Sequence, residues 1–272
     1  KVCSKNAGVL LYVGEEWRLN HMKKVKKTAL ISILFTTFAS MFLMISGCGK
    51  KYQEIALYKY IENTDGTLTI TELTDKGRSE YELTVPAMLD GKKVLAIGDG
   101  AFRDDTFIKK VVIEDGIESI GSNAFLSCYN LADIDIPESV TDIGMHAFTQ
   151  TAWHETQLES SKDIVINNIL CEADSQQESY TIRDGVVTIS PGVFYNNNVL
   201  KKVNFPSTLK KIGANAFAGC KNLTEAVLPD GLETIGYGVF ADSGIKEINV
   251  PKSVKSIGQD AFLGIDKVNM NR

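Results

Sequence analysis

Histidine is scarce in this chain: three occur in 272 residues, His21, His146 and His154. No Cys/His spacing suggests a zinc site, no Gly-rich loop follows a strand to cradle phosphate, and no G-x-S-x-G elbow is present. A basic excess is lacking too. Against 34 Asp/Glu stand 29 Lys/Arg, which argues against an electrostatic nucleic-acid face. Six prolines and 22 glycines are too few for a low-complexity linker, and no long run of one charge sign occurs. Carboxylates are plentiful, as on any acidic surface, so a pair such as Asp133 and Asp135 is weak evidence for acid–base work. The expectation is a non-enzyme: no catalytic residue, no cofactor and no metal.

What is present begins with a change of character at Met22. Lys23, Lys24, Lys26 and Lys27 precede an apolar run from Thr28 to Gly47. A cationic head, an apolar stretch and small residues at its end describe an export signal over 22–47. Ile45-Ser46-Gly47-Cys48 resembles the bacterial lipobox, which implies lipidation at Cys48. An uncleaved transmembrane anchor is the competing reading. Residues 1–21 then read as upstream read-through or an extension, and 48–80 as anchor, linker and cap. Loss of residues 1–47 removes seven Lys/Arg and two Asp/Glu, leaving a net charge of about −10. That is a poor match for phosphate backbones, so membrane contact falls to the acyl chains on Cys48.

The rest of the chain repeats itself. Phenylalanine closes an I-G-x-x-A-F-like motif at 102, 125, 148, 194, 217, 240 and 262, in steps of 23 with one double step and a final 22. One unit runs from Leu131 to Phe148. Ile134 and Ile136 alternate with Asp133 and Asp135, the pattern of a strand buried on one face. Pro137 ends that strand, Val140 and Ile143 form a second short apolar pair, and Gly144 permits a tight turn. A 23-residue unit cannot bury its apolar face alone, so units must stack. Propeller blades need about 40 residues. The predicted fold over 81–272 is therefore a β-rich α/β solenoid, a leucine-rich-repeat superhelix of about eight coils with short helical turns. At roughly 4.8 Å per coil it would be on the order of 40 Å long.

The position two residues after the motif glycine holds Gly100, Asn123, His146, Gly192, Asn215, Gly238 and Asp260. These types suit left-handed backbone or the cap of a helical turn, and His146 is accordingly a turn residue. The full unit, L-x-x-I-x-I-P-x-x-V-x-x-I-G-x-x-A-F-x-x-C-x-x-L, resembles the BspA-like leucine-rich repeat from about Tyr81 to Phe262. The resemblance implies a surface protein that binds protein partners or mediates adhesion, with no shared catalytic residues.

Two departures stand out: Ser190-Pro191 replaces Gly-x in one unit, and 149–179 lacks the motif. That stretch reads as an irregular coil in which Ile164, Ile166 and Ile169 form a strand. Trp153 and His154 near its start support an alternative function, an envelope glycan-binding or glycan-processing factor. Before the repeats, Asp65-Gly66 between alternating apolar residues predicts a β-hairpin cap. After Phe262 ten residues remain without an evident polar cap, so either the chain continues or association covers that edge. Cys128 and Cys220 share one repeat position four units apart, nearly 20 Å at ~4.8 Å per coil and beyond bridging distance. They read as small core residues.

Outward strand positions should align from coil to coil. They are Lys110, Asp133, Asp135, Lys202, Asn204, Glu225, Glu247 and Asn249, and they form the candidate face for a protein partner on the host or bacterial surface. The face has no aromatic residue, which tight interfaces favour. The predicted location is the cell envelope, lipid-anchored on the membrane's outer face.

Overall fold

The computed structural model describes residues 53–271. The export signal, Cys48 and the 1–21 segment lie outside them. Three strands open the described chain: β1 (Gln53–Ile55), β2 (Tyr58–Glu62) and β3 (Leu68–Leu73), paired antiparallel. Between β2 and β3 the Asp65 carboxylate accepts the Thr67 N–H at 3.0 Å, and Gly66 takes φ +82°. β3 then runs parallel to Lys92–Ile97, and the Tyr58 hydroxyl donates to the Thr84 carbonyl at 2.8 Å.

From Glu82 the chain forms a β-solenoid of about nine turns. This is one more than the eight coils expected, because the last strand, Lys267–Met270, is followed by no closing phenylalanine. Each regular coil has two short strands that pair in parallel with those of the next. Lys110–Ile113 pairs with Asp133–Asp135 in one row, and Ser119–Ile120 with Asp142–Ile143 in the other.

The expected short helical turns are single i→i−3 turns. Left-handed residues stop them from growing into helices. All seven positions from Gly100 to Asp260 named above have positive φ, His146 at +56° among them. A second left-handed residue follows four later in every case: Asp104, Ser127, Gln150, Asn196, Gly219, Asp242 and Gly264. This arrangement turns alternate N–H groups outward along the stack. Gly100, Phe102 and Asp104 donate to the carbonyls of Ser122, Ala124 and Leu126 at 2.8–2.9 Å, and the later coils repeat the ladder. The turn segments are thus hydrogen-bonded coil to coil, and their buried backbone groups are satisfied without a helix.

The motif glycine acts differently from the sequence expectation. Gly121 does not sit at positive φ. A Cβ there would lie 2.5 Å from the Asp99 nitrogen, and one on Gly213 would lie 2.5 Å from the Pro191 nitrogen. The glycine is required by the close approach of the preceding coil. Ser190 replaces it where the preceding coil is the irregular one.

Inside, the phenylalanines form one row. Phe125 stacks on Phe148 at 5.5 Å and 12°, Phe194 on Phe217 at 5.2 Å and 11°, and Phe217 on Phe240 at 5.4 Å and 13°. A 23-residue period brings each ring over the last at the coil spacing.

The row breaks once. Residues 149–179 contain a helix, α1 (Ala152–Ser160), which the sequence reading did not foresee. Thr151 caps it, its hydroxyl accepting the His154 N–H at 3.0 Å. Ile164–Ile166 and Ile169–Glu172 follow, not as one strand but as a hairpin whose turn residues Asn167 and Asn168 are both left-handed, a type I′ arrangement.

Candidate protein-interaction surface

The eight face residues lie on strands of one row, and all are exposed except Lys110, which is half-buried. The structure divides them among three sheets. Lys110, Asp133 and Asp135 share the first, Lys202, Asn204 and Glu225 the second, and Glu247 and Asn249 pair only with the last strand. Within each sheet the parallel register sets opposite charges side by side. Lys110 Nζ meets Asp133 at 2.6 Å, Lys202 meets Glu225 at 2.7 Å, and Lys267 meets Glu247 at 2.7 Å. Asn204 donates to the Thr181 hydroxyl at 3.0 Å, and Asn269 to the Asn249 side-chain amide oxygen at 2.9 Å. The Asp133 carboxylate raises the pKa of Lys110. Exposed pairs of this kind are screened by solvent and add little to stability, so a partner can replace them cheaply. The face presents alternating signs, not a field of one sign.

An aromatic corner beside the first sheet escaped the sequence reading. Tyr81, Phe107 and Tyr129 are each more than half exposed. Tyr81 and Phe107 lie 6.4 Å apart, and Lys109 Nζ sits 5.2 Å above the Tyr81 ring. Tyr81 and Phe107 stand just before the strands Glu82–Val85 and Lys110–Ile113, outside the alternation used to choose the face. The available signal was two rings that do not fall in the 23-residue series.

In the irregular coil, Trp153 packs edge-on against Phe148 at 5.3 Å. His154 is buried, and its Nε2 lies 2.7 Å from Glu172 and its Nδ1 3.4 Å from Glu155. The hydrogen bond to Glu172 raises the His154 pKa above its ordinary value. Both side chains are engaged in holding the coil, and nothing there favours the glycan alternative. His146 is an exposed turn residue.

Cys128 and Cys220 are fully buried, each thiol donating to a carbonyl of the preceding coil (Phe102 and Phe194) at 2.9 Å. Burial pushes their pKa values up to about 12 and about 11. Thiol reagents at pH 8 are therefore expected to modify neither in the folded protein and both in urea, a difference that mass spectrometry reads directly. Native labelling at either site would contradict their core placement.

Among the described residues no group of His, Cys, Asp and Glu is placed to hold a metal, and no helix is long and apolar enough to cross a membrane. Stacked parallel coils with a strand face and a hydrogen-bonded turn ridge define a leucine-rich-repeat solenoid. Residues 95–173 and 164–269 match the BspA-type leucine-rich-repeat region in six copies, and the chain belongs to that family. Its members are cell-surface proteins, generally non-enzymatic scaffolds that commonly bind proteins.

Solved structures similar to it include a leucine-rich cell-surface protein of Faecalibacterium prausnitzii, 19% identical over 84% of this chain and 96% of that one, with a TM-score of 0.39. A leucine-rich-repeat protein of T. pallidum is 23% identical over 76% and 86%, with a TM-score of 0.38. The pneumococcal vaccine antigen PcpA is 18% identical over 81% and 82%, with a TM-score of 0.39. Among curated proteins none matches the chain.

Proposed function

We propose that this is an exported protein, cleaved after residue 47, lipidated at Cys48 and held on the outer face of a membrane, where residues 81–272 bind a protein partner. The observation that carries the reading is the Tyr81–Phe107 corner with Lys109, beside Lys110, Asp133 and Asp135 on a rigid sheet. Exposed aromatic rings flanked by replaceable charge pairs are what interface anchors look like before binding. A stack hydrogen-bonded on both rows and along the turns holds them in place with little entropy left to lose.

A photo-crosslinking residue at position 107 in the surface-displayed full chain should capture a protein, and the same residue at position 237 should not. Loss of a buried aromatic hot spot costs about 2 kcal/mol or more, so Tyr81→Ala with Phe107→Ala should weaken capture at least tenfold, while Val227→Ala leaves it unchanged. Equal capture by the double variant would remove the corner. The anchoring half of the reading is tested by Cys48→Ala, which should abolish incorporation of labelled fatty acid. Continued labelling would overturn lipidation at that residue.

A further inference from the structure

Among the described residues, the irregular coil is the one place inside the stack where both strand rows stop. The sheet through Lys92–Ile97, Ser119–Ile120 and Asp142–Ile143 ends there, and the next begins with the Ile164–Ile166 and Ile169–Glu172 hairpin. In the other row Asp133–Asp135 has no strand partner on its far side, and Ser179–Thr181 starts a new sheet. The first row also breaks between Glu225–Val227 and Glu247–Val250, but the second row bridges that gap through Thr234–Ile235 and Ser256–Ile257. The buried core divides at the irregular coil as well: one cluster closes with Phe148 and Ile169, and the other opens with Leu170.

Side chains span the gap. Trp153 fastens α1 to the first block, its ring on Phe148 and its backbone N–H donated to the Leu131 carbonyl at 2.8 Å. The hairpin is fastened to the second block, where Leu170 pairs in register with Ile189. Among the described residues three polar side chains reach across, beside the apolar contacts that Ile166, Ile169 and Cys171 of the hairpin make with the first core. His154 on α1 meets Glu172 at 2.7 Å, Asn167 donates to the Pro137 carbonyl at 2.6 Å, and Lys211 pairs with Asp142. Of these only the first contains a group that titrates near neutral pH.

We propose that residues 149–179 form a pH-sensitive joint between two separately cooperative blocks of the solenoid, closed when His154 is protonated and loosened when it is neutral. The titratable groups facing His154 are Glu172 from the hairpin and Glu155 from its own helix. Protonated imidazole donates from both nitrogens and opposes both carboxylates. Neutral imidazole donates from only one nitrogen, leaving Glu172 to face a buried ring with no charge.

The sign follows from the raised histidine pKa. The pair's contribution is fully present below the unfolded value of about 6.5 and is lost as pH rises through the higher folded value. A loosened joint would change the angle between the sheet carrying Asp133 and the sheet carrying Lys202, so a partner spanning both would sense pH. Separate cooperativity in repeat stacks is set by the interfaces between units, and this one lacks a strand ladder.

Hydrogen exchange by mass spectrometry on the full chain in mild detergent, corrected for intrinsic exchange, tests this between pH 5.5 and 8.5. Protection of peptides within 149–179 should fall with rising pH, by at most tenfold per pH unit for one proton, while peptides over 110–135 and 202–227 hold theirs. His154→Gln should lie at the loosened level at every pH, and Glu172→Gln should flatten the profile while leaving both blocks protected. A uniform loss across both blocks, a pH-independent wild type, or an unchanged profile in either variant would overturn the joint. If His154→Gln fails to fold, the wild-type profile and Glu172→Gln decide the matter.

Discussion

Phe217→Ala lowers the unfolding free energy by about 3–5 kcal/mol, read as a fall in the urea midpoint. The ring is fully buried, with Phe194 at 5.2 Å on one side, Phe240 at 5.4 Å on the other and Phe205 edge-on at 5.6 Å. Its neighbours belong to coils held at fixed spacing by hydrogen bonds in both strand rows and along the turns, so the cavity cannot collapse as one in a looser core does. Phe262→Ala serves as the internal control. That ring is only half-buried and has one ring neighbour, Phe240 at 6.3 Å, and its loss should cost less than half as much. Equal costs at the two positions would mean that burial in the row is not what stabilises the stack.

The second large effect comes from adding a single carbon. Gly121→Ala places a Cβ 2.5 Å from both the Asp99 nitrogen and the Gly98 carbonyl carbon, and 2.7 Å from the Asp99 carboxylate. Two of these are backbone atoms, which cannot rotate away. Overpacking of cores costs typically about 1–3 kcal/mol, and displacement of a backbone that carries the coil-to-coil ladder puts this substitution at or above the top of that range. Gly66→Ala is a useful contrast, because nothing lies within 4 Å of a Cβ there and only the φ of +82° opposes it. Thermal melts of the two variants separate crowding from backbone conformation. If Gly66→Ala proves the more damaging, the close-approach account of the motif glycine is wrong.

Much of this architecture is legible in the sequence because the physics that makes it is periodic. A bulky ring every 23 residues, an alternating strand before it and a glycine before the turn require stacked layers, and the Phe125–Phe148 and Phe217–Phe240 pairs lie where that requirement puts them. The glycine itself was misread as a turn former. Sequence shows that a side chain is missing, not whether conformation or crowding removed it. The true left-handed position is two residues later, where Asn123, His146 and Asp260 stand beside glycines. Such a mixture satisfies both a left-handed turn and a helix cap, so only the backbone angles decide between them.

The irregular coil was legible as a departure but not as a helix. Thr151 and Glu155 are suitable helix-start residues, but their meaning depends on Trp153 finding Phe148 across the coil. The site was half legible. Outward exposure of Asp133, Lys202 and Glu247 follows from strand alternation, whereas their pairing with Lys110, Glu225 and Lys267 follows from parallel register, which only the stacking fixes. Tyr81 and Phe107 were passed over because they precede their strands.

The most direct test of the stacked solenoid is native-state hydrogen exchange at residue resolution along the turn ridge. The structure predicts strong protection at Phe102, Phe125, Phe194, Phe217 and Phe240, whose N–H groups donate to the following coil at 2.7–2.9 Å, and equal protection at the left-handed residues two on either side. Ordinary surface loops exchange freely. If the amides of Asn123, Phe125 and Ser127 exchange at loop rates while those of Val111 and Val203, on central strands, stay protected, the coils are not bonded through their turns and the account fails.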